Sequence, residues 1–170
     1  MNALVFIAVL LQAAPPPTTA PQITTASVRG DKFQILAPQG WKTLNDGGFV
    51  LLGHTSGASV LFQRASRAGS LSDFAQRQAE RVMLPLGFAT IGQPTSFKDT
   101  REEWIQYDIR GKRLTDDRRI LYRLLRRDTN YFEFIYEASD EGFEMLLTEA
   151  QEIASSVQAI IEKPPVRRRR

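Results

Sequence analysis

The single histidine of this chain, His54, lies in Gly53-His54-Thr55-Ser56-Gly57, two residues before a serine. An imidazole beside a hydroxyl is the start of a nucleophilic site: the ring takes the serine proton, and an acidic group orients the ring. Asp46 is the acid available nearby in the sequence. The stretch is not a Gly-x-Ser-x-Gly elbow, however, and side chains two apart on a turn need not face each other. The simpler reading is a hairpin turn carrying a polar histidine. A small hydrolase or ligand-processing enzyme with a cleft near His54 is therefore an alternative and not the leading reading. A small-molecule carrier is a second alternative.

Metal chemistry has fewer candidates still. One histidine and no cysteine exclude the common zinc patterns and a thiolate nucleophile. Glu102-Glu103 and Asp116-Asp117 are adjacent pairs, whereas a calcium loop needs alternating acids and a glycine. Neither glycine-rich phosphate-binding pattern is present. The expectation is no metal site, no cofactor and no catalytic residue.

Cations are the most distinctive feature. Arg110, Lys112, Arg113, Arg118, Arg119, Arg123, Arg126 and Arg127 fall within one stretch, interleaved with Asp108, Asp116, Asp117, Asp128, Glu133 and Glu137. Opposite charges facing each other across strands explain such a pattern simply. The sharper reading is an anionic partner (a lipid head group, an acidic polymer or an acidic protein), with Arg110, Lys112, Arg113, Arg118, Arg119 and Arg123 as candidate contacts. Arg167, Arg168, Arg169 and Arg170 follow Pro164-Pro165 without interleaved acids. That basic tail either touches an anionic surface, at about 1 kcal/mol per residue, or simply solubilises the end. The 22 Lys and Arg exceed the 19 Asp and Glu by three; without the four terminal arginines the balance is 18 against 19, or −1. A nearly neutral body is not the footprint of a nucleic-acid binder.

The elements that must position these groups fit one domain. Leu4 to Leu11 is an unbroken apolar run, too short to span a bilayer, followed by Gln12-Ala13-Ala14. Residues 1–13 thus resemble a signal peptide cleaved after Ala13. No cysteine follows to carry a lipid. Residues 14–23 form a Pro/Thr-rich spacer, 24–162 the domain, and 163–170 a disordered basic tail. The expected location is outside the cytoplasm, periplasmic or extracellular, with the protein soluble after signal cleavage.

Within the domain, Ala26–Arg29 and Lys32–Leu36 flank a Gly30-Asp31 turn, and Pro38-Gln39-Gly40-Trp41 breaks the second strand. Phe49–Leu52 and Ser59–Phe62 make another hairpin. A helix opens at Ser70 with Asp73 three residues on, and Pro85 and Gly87 end it. Strands are expected at Phe88–Ile91, Trp104–Ile109, Ile120–Leu125 and Tyr131–Ala138, joined by polar links at 111–117 and 128–130. Phe143, Leu146, Leu147, Ala150, Ile153, Ala154, Val157 and Ile160 then share one face of a long closing helix, capped by Ser139 or Asp140. The later strands are apolar on both faces, so both faces need cover. The fold class expected is α+β: an α/β/α sandwich with an antiparallel sheet of about six to seven strands and two main helices. Trp41 and Trp104 read as core or rim packing in it.

The pattern Phe33-x-Ile35-x-x-Pro38-x-Gly40-Trp41, then Ser70-Leu71-x-x-Phe74-Ala75, then the aromatic strand and closing helix, resembles the PsbP-like superfamily, which includes DcrB-like envelope proteins and Ran-binding Mog proteins. The resemblance spans most of Val28 to Ile160. It implies an α/β/α sandwich used mainly as a non-catalytic binding or assembly module, and no functional residue is carried over from it. The leading reading is an exported, non-enzymatic module of the bacterial cell envelope whose partner is another envelope protein.

Overall fold

A computed structural model of the chain describes residues 26–45, 48–66 and 69–160. The expected signal peptide, spacer and basic tail, and Asp46, lie outside the described residues. Strands β1 (Ala26–Gly30) and β2 (Phe33–Ala37) form the first hairpin. Its two-residue loop is Asp31-Lys32, one position later than expected, with Lys32 at φ 58°. Such tight loops require a positive φ. Gly40, at φ 97°, reverses the chain and starts β3 (Trp41–Asn45), a strand the proline and glycine had concealed. The hairpin of β4 (Phe49–His54) and β5 (Ser59–Ala65) follows as expected.

Helix α1 (Leu71–Met83) is capped as its sequence requires: Ser70 Oγ accepts from the Asp73 N–H at 3.1 Å. Then come β6 (Gly87–Ile91), the short edge strand β7 (Thr95–Lys98) and three long strands, β8 (Glu102–Arg113), β9 (Asp116–Arg127) and β10 (Asn130–Ser139). The polar links are shorter than expected. Only Leu114-Thr115 turns between β8 and β9, because opposite charges such as Lys112 and Asp117 pair across the strands and extend them. Helix α2 (Phe143–Ser155) stops short of the expected Ile160. Gly142 is its cap residue, without a side-chain cap; Ser139 Oγ instead accepts from the Gly142 N–H. At the other end Ser156 Oγ accepts from the Leu36 N–H at 2.8 Å, and the chain leaves the helix to pair β11 (Gln158–Ala159) with β2. Val157 is still fully buried, but in extended backbone beyond the helix.

The α+β sandwich with two main helices is as expected. The strands are more numerous than the six to seven foreseen: eleven among the described residues, in an eight-stranded sheet ordered β3-β4-β5-β10-β9-β8-β6, with β7 also on β8, and a separate sheet β1-β2-β11. All strand pairings among the described residues are antiparallel. One core lies between the large sheet and α2 with the small sheet. Phe33, Phe62 and Phe132 meet there with ring centroids 5.5–5.8 Å apart. The other lies under α1, where Ala75 and Ala79 sit on Tyr107, Ile109, Ile120, Tyr122 and Leu124. Burying each large side chain fully contributes about 1.5–3 kcal/mol.

Candidate functional site

The histidine and serine do meet. Nδ1 of His54 lies 2.9 Å from Ser56 Oγ and accepts from the Ser56 N–H at 3.2 Å. These bonds close the β4–β5 turn, where Gly57 N–H also donates to the His54 carbonyl at 3.0 Å. The ring packs on Trp41, centroid to centroid 5.4 Å. His54 thus serves its own turn and the end of β3.

Each candidate cation on β8 and β9 has a neighbour inside the molecule. Lys112 meets Asp117 at 3.0 Å, Arg113 and Arg118 share Glu137 at 3.1 Å, and exposed Arg110 lies 3.6 Å from Asp140 and 3.9 Å from Asp108. Arg119 grips Asp108, reaches Glu144 of α2 at 2.6 Å and stands 4.2 Å over the Phe143 ring. The Asp108 hydrogen bond is the main cause holding its guanidinium protonated beyond the ordinary arginine range. Arg123 differs. It is buried and donates from Nε and Nη2 to the neutral Gln106 Oε1 at 2.9 and 2.6 Å, 4.6 Å above the Trp104 ring. Burial lowers its pKa, and the charge of Glu102 partly offsets this. Both tryptophans pack as expected: Trp41 is buried with Nε1 donating to Glu149 at 2.7 Å, and Trp104 stacks on Phe97.

Sequence reasoning missed a surface. Helix α1 packs on β8, β9 and β6, reaches β5 only at its Gln63–Ala65 end, and leaves the rest of the same face of β3, β4 and β5 without a covering helix among the described residues. Cross-strand register sets Leu51 beside Leu61 and Leu61 beside Ile135 on that face, with Phe49 opposite Gln63. Leu44 of β3 lies over Gly53, so close that a side chain there would strike it. Leu44 is 64% exposed and Phe49 38%, while Leu51, Leu61 and Ile135 are half-buried. The clue was present in the sequence. Phe49-Val50-Leu51-Leu52 and Val60-Leu61-Phe62 are apolar at every position, so these strands carry apolar groups on both faces.

No family model matches the chain, and no curated protein matches it in sequence. Solved structures match it in fold. The solution structure of cyanobacterial PsbP (CyanoP) from Synechocystis sp. PCC 6803 superposes with a TM-score of 0.58 at 14% identity, covering 86% of this chain and 98% of its own. The fold is PsbP-like. The same PsbP-like sandwich recurs in the Saccharomyces cerevisiae Ran-binding protein Mog1p (TM-score 0.57, 10% identity, 82% and 97% covered). It recurs also in LpqN, involved in cell envelope biogenesis of Mycobacterium tuberculosis (TM-score 0.57, 12% identity, 82% and 92% covered). No described helix is long and apolar enough to cross a membrane.

Proposed function

We propose that this PsbP-like chain is an exported, non-enzymatic binding module of the cell envelope, and that it docks another envelope protein on the open face of β3, β4 and β5. The observation that carries the reading is the patch of Leu44, Leu51 and Leu61 on the half of the sheet that no described helix covers. Apolar patches of this kind mark interaction sites. A rigid sheet also presents them with little ordering cost on binding. The cations of β8 and β9 already meet acids or an amide within the chain, which favours a protein over an anionic surface as the partner. Export is supported by the signal-like residues 1–13. Fold kinship with an envelope-biogenesis protein and a Ran-binding protein supports a binding role.

The test is fractionation of the producing cells, with the intact mass of the mature protein and co-purification from the envelope fraction. The reading predicts a mass beginning at Ala14 and an envelope protein retained by the wild type. A Leu51→Glu, Leu61→Glu double variant, folded and equally exported, should lose that protein. A full-length cytosolic product, or a partner held equally by the variant, overturns it.

A further inference from the structure

The edge of α1 conceals a polar feature that borders the docking face at Gln63 and Ile135. Glu133 of β10 is more than nine-tenths buried. Its carboxylate accepts from Gln63 Nε2 and, at 3.2 Å, from the Tyr122 hydroxyl. Both donors are neutral, and no lysine or arginine among the described residues forms an ion pair with it. A carboxylate taken out of water without a cation is costly, and two neutral hydrogen bonds offset only part of that cost. Burial, with the nearby Glu133 charge, pushes the Tyr122 phenol well above its ordinary range, so its hydroxyl stays a donor.

Glu133 does not face solid core. It lines a cavity of about 300 Å³ between the sheet and α1, and so does Arg81 from the last turn of α1. Arg81 is exposed and makes no ion pair among the described residues. Gln63 and Gln78 add amides to the walls, and Val82 and Ile135 add small apolar surface. One wall thus offers an uncompensated anion and the rim a free cation, with apolar contact between. The volume is at the small end of the range for small-molecule sites, roughly 300–1,000 Å³.

We infer that this cavity binds a small zwitterion of the α-amino-acid class, its ammonium group on Glu133 and its carboxylate on Arg81. The Tyr122 hydroxyl and the Gln63 amide hold the Glu133 carboxylate in place, and Val82 and Ile135 admit a short apolar side chain. Both charges of the ligand are required, since an amine alone leaves Arg81 unused and an acid alone meets Glu133.

Calorimetric titration of the full chain with the common α-amino acids, one at a time, tests this. One or more should bind one to one. The matching N-acetyl and carboxamide derivatives should bind about tenfold or more weakly, the effect of losing one charged hydrogen bond. Arg81→Ala, at an exposed position, should keep the thermal transition and lose affinity by a similar factor; Glu133→Gln should abolish binding. The inference is overturned if no amino acid binds, or if binding is unchanged by Arg81→Ala and by blocking the ammonium group. Neither result bears on whether the open face of β3 to β5 holds a protein.

Discussion

Arg123 and Arg119 sit four residues apart on one face of β9 and answer to different physics. Arg119 is held by two carboxylates and an aromatic face, and it ties β9 to the first turn of α2. Arg119→Ala removes that tie and should cost about 2–4 kcal/mol in urea unfolding. Arg123 is buried on an amide and a tryptophan and forms no ion pair among the described residues. A buried charge so placed adds little that an apolar chain of similar length would not. Arg123→Met should therefore leave stability within about 1 kcal/mol of wild type, while Arg123→Ala, which strips the cover from Trp104, should lose about 2–3 kcal/mol. Tyrosines give the pH dependence. Burial pushes the Tyr136 phenol up to about 12, and its hydroxyl donates to the Phe143 carbonyl at 2.8 Å. A raised folded-state pKa means the contribution is complete below the unfolded value, about 10. It is lost as pH rises through about 12, since the unfolded chain gives up the proton first. Unfolding free energy should be flat from about pH 8 to 9 and fall beyond about 10, and Tyr136→Phe should shallow that fall.

Elements with purely local signals were the legible ones. Ser70 and Asp73 mark the start of α1 because both the cap and its donor lie within one turn. Elements defined by distant partners were not. β11 exists only because Gln158 and Ala159 find β2, more than a hundred residues away, and Val157 keeps helical spacing with Ile153 yet is buried beyond the helix. Likewise 111–117 looked like a loop by polarity, and cross-strand ion pairs made most of it strand. The cations themselves were legible as an interleaved set, but not the union of Arg119 with Glu144, twenty-five residues on. Helix α2 is the element on which the larger core depends. Ile153 is completely buried in that core with Ala150, Ala154 and Phe143. Ile153→Ala should cost about 2–5 kcal/mol by leaving a cavity, and Ile153→Asp should prevent folding; an unchanged melting transition in either variant would refute this packing.

At the scale of the whole molecule, two helices cover unequal shares of an eight-stranded sheet. Among the described residues, helix α2 and the small sheet close one face, while α1 lies mainly over the β6–β8–β9 half of the other. Sequence periodicity shows that a strand is apolar on both faces but not which covering element reaches it, so the half without a described helix was invisible until the register set Leu51 beside Leu61 and Leu44 lay over Gly53. The most direct test of that face is a photo-crosslinking residue at Leu51 in the protein expressed in its own host, compared with one at exposed Gln76 on α1. A discrete crosslink to one envelope protein is expected from position 51, abolished by Leu61→Glu, and none from position 76. Equal labelling from both positions, or none from position 51 in a folded, exported protein, would contradict it.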